Sequence, residues 1–192
     1  MADAGLATNQ QKARRRGTEI VFVDETGFAL RAKTGTTWAP RGQTPILRRV
    51  SKRRELSTVI ALTLSGKIYT RHFEHALGAP DILEALKHFQ QYISRPIIII
   101  WDRLNAHRAA IVQDYVAAHP DIEVEWLPPY APNLNPEEEC HGNINQHLRN
   151  AAPATPHDRR VQVDRGFARL RRRPDLILGF FRHAGLSVNQ LC

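Results

Sequence analysis

Four consecutive isoleucines and a tryptophan run straight into an aspartate at positions 97–102, in the stretch IIIIWDRLNAH. A continuous apolar run after Pro96 reads as a short strand buried on both faces, because a strand covered on one face only would alternate. A charged residue directly after such a run must be exposed at the sheet edge or paired, since burying it alone is expensive. In open α/β sheets the carboxyl ends of the strands are where ligands bind. A second stretch, LPPYAPNLNPEEE at 127–139, is a proline-broken loop that delivers three glutamates onto the start of a helix. If loop and strand end meet in space, carboxylates from distant parts of the chain converge.

The rest of the chain reads as a frame for that meeting. TEIVFVDETGF (18–28) gives a β-branched and apolar strand carrying Asp24 and Glu25 near its end. The Gly-, Thr- and Pro-rich FALRAKTGTTWAPRGQTPIL reads as short strands and turns. Residues 56–64 and 67–73 alternate around Ser65-Gly66 as a hairpin. GAPDILEALKHFQQYI is a helix with Pro80 in its first turn and Ile82, Leu83, Leu86, Phe89 and Ile93 on one face. After the isoleucine strand come a helix over about 107–119, a strand in DIEVEWL and a helix over about 136–150. Two short helices follow within 157–182, the first rich in arginine. Three strands in a meander followed by strands alternating with helices predict a mixed α/β sheet with helices on both faces.

Length limits the domain count: 192 residues suit one domain with appendages. The expected division is a basic, flexible lead-in at 1–17, the sheet domain at 18–155 and a basic helical extension at 156–192. No apolar run is long enough to span a membrane, and the N-terminus lacks a signal-peptide core. Cys140 and Cys192 offer neither a metal-ligand spacing nor a disulfide framework, which predicts a reduced, cytoplasmic protein. The formal charge of +8 suggests a polyanionic partner. Basic residues cluster at Lys12–Arg16, at Arg48–Arg54 (Arg48, Arg49, Lys52, Arg53, Arg54) and at Arg159–Arg173, which ends in Arg171, Arg172 and Arg173. Any one cluster reads equally well as a solvated surface; three around an acidic site suit a phosphate backbone.

Each acid has a plain structural reading beside the chemical one. Asp24 before Thr-Gly could simply form a turn. Asp102 could cap a helix, with Asn105 competing for that role. Asn135 as cap, Pro136 in the first helical position and acids in the first turn follow from helix-end electrostatics alone. That accounts for a glutamate there, though not for three. Carboxylates from two strand ends and one helix start would suit magnesium or manganese, which prefer oxygen ligands. His72 and His75 have His-x-x-His spacing, but their plainer reading is as surface residues. A zinc site from Glu138, Cys140 and His141 has little behind it. His107 could approach Asp102 or begin the following helix.

VDETGF, TWAPRGQTP, WDRLNAH and LPPYAPNLNPEEE, in that order, resemble the catalytic domain of DDE transposases, closest to bacterial insertion-sequence members of the Tc/mariner-like superfamily. The resemblance covers about residues 18–150. It implies a ribonuclease-H-like fold with a mixed five-stranded sheet. Asp24 matches the first catalytic and metal-holding aspartate, Asp102 the second, and Glu138, second after Asn-Pro, the glutamate. Helical phase instead puts Glu137 nearer the apolar stripe of Ile144, Leu148 and Ala151, so Glu137 stays the alternative. The family often has Asp where this chain has Asn133, and an aliphatic residue where it has Glu137. The resemblance implies two magnesium or manganese ions, hydrolysis and strand transfer at transposon ends, and a homodimer on DNA in the bacterial nucleoid. Such transposases carry helix-turn-helix domains ahead of the catalytic one, and about 17 residues precede the first strand here. A separate chain supplying that domain is therefore one expectation. A non-catalytic DNA-binding remnant or regulator is the alternative.

Overall fold

A computed structural model describes residues 12–13, 15–29, 35–44, 46, 55–129 and 132–186. β1 (Glu19–Ala29), β2 (Glu55–Thr63) and β3 (Ile68–Phe73) form an antiparallel meander. Then come α1 (Ala79–Gln90), β4 (Ile97–Trp101), α2 (Ala110–Ala118) and β5 (Ile122–Trp126). A 3₁₀ turn (Pro132–Leu134) leads to α3 (Pro136–His147), α4 (Pro156–Arg171) and α5 (Pro174–His183). The strand order is β3-β2-β1-β4-β5, with β4 parallel to β1 and β5 parallel to β4. The expected mixed five-stranded sheet is present, and helices cover both faces.

Side-chain parity divides the two layers. Val21, Val23, Ile97, Ile99 and Trp101 face α1 and α2, against Ile82, Leu86, Phe89 and Val112. Ile20, Phe22, Phe28, Ile98 and Ile100 face α3–α5, against Ile144, Phe167, Ile177 and Phe181. Every side chain of β4 is buried, which is what a strand between two neighbours and two helical layers requires. On the second face Phe22 meets Phe181 edge-on at 5.5 Å, and Phe28 meets Phe167 at 6.0 Å. Truncating either phenylalanine of the first pair would cost about 3–5 kcal/mol.

Three local expectations need correction. β1 does not stop near Asp24. Its antiparallel pairing with β2 continues through Asp24↔Ile60 to Ala29↔Glu55, although β4 leaves its other side after Phe22↔Ile100. The helix expected from about 107 begins only at Ala110, and His107 lies in the turn before it. His72 is not a surface residue. Its ring is buried between β3 and α4, bonded to Thr58 Oγ1 at 2.8 Å and Asp164 Oδ1 at 3.0 Å. His75, by contrast, is exposed and bonded to Asp81 at 2.9 Å. Among residues 1–17, Lys12, Ala13, Arg15 and Arg16 are helical, Ala13 is buried and Lys12 pairs with Glu123 of β5.

Candidate active site

Parity and register bring the two aspartates together. Continuing the parallel register Phe22↔Ile100 by two residues sets Asp24 level with Asp102 on adjacent strands. Such strands lie about 4.8 Å apart. Even-numbered positions of β1 face α3–α5, and Asp24 meets Asn135 at the start of α3 on that side. The opening exists because β4 ends at Trp101 while β1 runs on, leaving Asp24 beyond its parallel neighbour.

α3 starts over this gap, and one residue fixes it there. Asn135 caps the helix: its Oδ1 accepts the Glu137 N–H at 3.2 Å. That leaves its Nδ2 to donate to Asp24 Oδ2. The Glu25 N–H donates to the other oxygen of Asp24 at 2.8 Å. Pro136 follows the cap, where its missing N–H costs nothing. Helix start and strand end are therefore one hydrogen-bonded unit.

The two candidate glutamates differ sharply. Glu138 is exposed and lines a cleft of about 670 Å³ with Asn133, Asn135, Glu139, His183 and Ala184. Glu137 is 2% exposed, and its Oε1 has no hydrogen-bond partner. Burial, then the charges of Asp24, Glu138 and Glu25, push its carboxyl well above the ordinary range. Asp24 is raised to about 7, first by burial, then by Glu25, with further contributions from Asp102 and Glu138. Asp24 thus senses Asp102 and Glu138 as charges, although the three lie on separate segments. Cys140 is buried with its thiol pushed up by burial, unsuited to the zinc reading.

His107 is the residue whose place the sequence left open. It is fully buried and stacked on Trp101 at 3.9 Å between centroids. Its Nε2 lies 2.8 Å from Glu25 Oε1. Its Nδ1 lies 2.7 Å from Asp102 Oδ1 and 3.2 Å from the Asp102 carbonyl oxygen. Burial would lower its pKa, but the bond and charge of Glu25, then Asp102, outweigh burial and raise it. The Leu104 N–H also donates to Asp102 Oδ1, at 3.0 Å. The signal in the sequence was only a His five residues past the strand-terminal Asp.

The basic residues fall into three groups. Arg48, Arg49, Lys52, Arg53 and Arg54 lie outside the described residues. Arg171 donates to the Ile68 carbonyl at 3.1 Å and to Thr70 Oγ1 at 2.8 Å, fastening α4 to the outer edge of β3, two strands from β1. Arg172 is exposed, and Arg173 is paired with Asp175 at 2.7 Å. Arg103 and Arg108, which the sequence reading did not single out, flank His107 in the chain. Both are exposed and line a cavity of about 390 Å³ with Gln113 and Trp126. Among the described residues no carboxylate pairs with either.

Asp24, Asp102 and Glu138 offer carboxylate oxygens, and among the described residues no Lys or Arg pairs with any of the three. That chemistry fits a hard divalent ion. The geometry is not closed: among the described residues no three His, Cys, Asp or Glu side chains gather tightly enough to hold a metal as they stand.

Similarity to known proteins agrees with this arrangement. No match is found among curated protein sequences. Among solved structures, the Mos1 strand transfer complex aligns with a TM-score of 0.67 at 18% identity, covering 97% of this chain and 60% of that one. The mariner Mos1 paired end complex with Mg aligns at 0.64 and 16%, covering 97% and 61%. The catalytic domain of Mos1 mariner transposase aligns at 0.56 and 15%, covering 95% and 91%. The chain spans about 60% of the length of the first two. At such identities the likeness is one of fold, a ribonuclease-H-like transposase catalytic domain. The family model described as DDE superfamily endonuclease matches residues 19–159, more than two thirds of the sequence and all of the site, and the chain belongs to that family.

Proposed function

We propose that this chain is the catalytic domain of a Tc/mariner-like bacterial insertion-sequence transposase, hydrolysing DNA at a transposon end and joining the freed 3′-hydroxyl to target DNA. The observation that carries the reading is the state of Asp24. Its carboxyl is raised to about 7 by burial and by the acids around it, Asp102 and Glu138 among them. Like charges crowded at a strand end destabilise the fold, and a divalent cation is the simplest group to relieve them. The similar Mos1 complexes, one of them with Mg, support the same chemistry.

In this reading Asp24, Asp102 and Glu138 hold Mg²⁺ or Mn²⁺, two ions in all. Such ions would supply Lewis-acid charge neutralisation for phosphodiester cleavage, held by these three carboxylates. Asp24 and Asp102 present carboxyls side by side from adjacent strands. Glu138 approaches from the first turn of α3, at a height set by the Asn135 cap. Glu138 is preferred to Glu137 because it faces the open cleft, whereas Glu137 is buried. Arg103 and Arg108, which pair with no carboxylate among the described residues, offer guanidiniums to backbone phosphates, which position DNA without reading its sequence. Arg48, Arg49, Lys52, Arg53, Arg54, Arg171, Arg172 and Arg173 are proposed to extend that track. Recognition of transposon ends is assigned to a helix-turn-helix domain, and the working unit to a homodimer on nucleoid DNA in the cytoplasm. No helix among the described residues is long and apolar enough to cross a membrane.

The test is nicking of supercoiled plasmid with Mg²⁺ or Mn²⁺, wild type beside Asp102→Asn. Metal-dependent nicking by wild type alone supports the carboxylate site as a nuclease. Equal nicking by Asp102→Asn overturns the assignment. No nicking by either protein, with metal-independent DNA binding intact, favours the non-catalytic remnant.

A further inference from the structure

His107 joins two acids that belong to different segments of the sheet. Glu25 lies within β1, while Asp102 directly follows the last residue of β4. The ring spans them at 2.8 Å to Glu25 Oε1 and 2.7 Å to Asp102 Oδ1, fully buried and stacked on Trp101. Gln113 Nε2 donates to the His107 carbonyl at 2.8 Å, fixing the backbone from α2. Every degree of freedom of the ring is therefore restrained.

The consequence falls on Asp102. It stands one residue beyond β4, where no ladder hydrogen bond holds it. His107 Nδ1 hydrogen-bonds the Asp102 carbonyl oxygen and lies 2.7 Å from Oδ1, which also accepts the Leu104 N–H, while no described residue bonds Oδ2. One oxygen is anchored and the other is left available. Because Glu25 follows Asp24 directly, the same link ties the backbone of the first aspartate to the carboxylate of the second. Resting on the metal-site reading above, we propose that Glu25 and His107 are positioning residues. They form a rigid strut that sets the separation of Asp24 and Asp102 and aims Asp102 Oδ2 at the divalent ion. Partners that orient metal-holding carboxylates typically matter by about 10–100-fold in metal affinity.

The strut is tested by Mn²⁺ binding to the full chain, read from the electron paramagnetic resonance signal of free Mn²⁺, with no DNA and no turnover. The proteins are wild type, His107→Gln, Glu25→Gln, Glu25→Leu, Asp102→Asn and Val112→Ala. Val112 is fully buried in the same layer and carries no polar side-chain atom that could hold the strut, so its truncation reports loss of packing. His107→Gln cannot reach both acids, and Glu25→Leu removes the outer anchor; each is expected to weaken Mn²⁺ about tenfold or more. Glu25→Gln keeps an oxygen to accept the Nε2–H bond and should stay within about threefold of wild type. Val112→Ala should melt earlier and bind Mn²⁺ as wild type does. Unchanged affinity in His107→Gln overturns the strut, as does an equal loss in Val112→Ala. If wild type and Asp102→Asn bind Mn²⁺ equally, the metal-site reading itself fails and the strut falls with it.

Discussion

Charges are handled in opposite ways along the outer edge of β3 and at the carboxyl ends of β1 and β4. At the β3 edge, His72 is enclosed by Thr58 and Asp164, Arg171 donates twice to the strand, and Arg71 pairs with Glu84. At the other site Asp24 is crowded by acids, Glu137 is buried with an oxygen that finds no partner among the described residues, and Arg103 and Arg108, which follow Asp102 in the chain, pair with no described carboxylate. Burial of polar groups is common to both regions; satisfaction is not. Polar groups that hold the fold together are matched within the chain. Those left unmatched in one place weaken the fold and await a ligand, the usual conflict between stability and function.

The sharpest way to break this comparison is Asp24→Asn. The amide oxygen can still accept from Glu25, but its NH2 group would face the donating Nδ2 of Asn135, so one hydrogen bond is lost with the charge. Metal-dependent cutting should fall by roughly three orders of magnitude or more. Above pH 7 the metal-free protein should nevertheless melt higher, because removing a burdened carboxylate outweighs the one bond lost. A lower melting temperature would mean that Asp24 belongs with the matched groups. Next in size, Arg103→Gln with Arg108→Gln should weaken binding to a plain DNA duplex on the order of tenfold at 0.1 M salt. The slope of log affinity against log salt should drop by about two, one for each phosphate no longer neutralised. Fluorescence anisotropy across a salt series reads both quantities.

Acidity sharpens the contrast further. Asp24 binds its proton in the folded chain up to about pH 7, against an ordinary 3.8. Folding therefore takes up a proton between those values, and metal-free stability falls as pH rises from about 4 through about 7. His107, raised above its ordinary 6.5, acts in the same sense: its contribution is present below 6.5 and fades as pH climbs through its folded value. His72, lowered by burial, acts in the opposite sense, its burden easing as pH rises toward 6.5. Differential scanning in EDTA should show a melting temperature lower at pH 8 than at pH 6, on the order of 5 °C. Millimolar Mn²⁺ should close the gap, and Asp24→Asn should flatten it. The smallest effect is expected at the matched edge. Asp164→Ala removes one partner of His72 and should cost about 1 kcal/mol, or roughly 2–4 °C, with plasmid nicking unchanged.

Much of this could be read from the sequence. Period-two alternation and the isoleucine run gave the strands, because side-chain parity in a strand is a local property. The turn at Ser65-Gly66 and the cap at Asn135 marked ends for the same reason. The two aspartates and the Glu triplet were legible as charges set against apolar runs. What escaped were features that depend on a neighbour far away in the chain. β1 outruns Asp24 because β2 keeps pairing with it, which Val21–Val23 cannot show. His72 is buried because α4, some 90 positions later, supplies Asp164 and Phe167.

The site divides along the same line. Sequence alone determined which residues carry charge, on which segment each lies, and that α3 begins at Pro136 behind its cap. Tertiary structure alone decided that Glu137 is buried and Glu138 open, because the first turn of α3 presents its faces to β1 and to the cleft only once docked. It alone turned His107 inward between Glu25 and Asp102, a link across 82 positions in the chain. The physical reason is range. Backbone preference and alternation act over a few residues, whereas burial and the field at a carboxylate are set by whichever segments the sheet brings within a few ångströms.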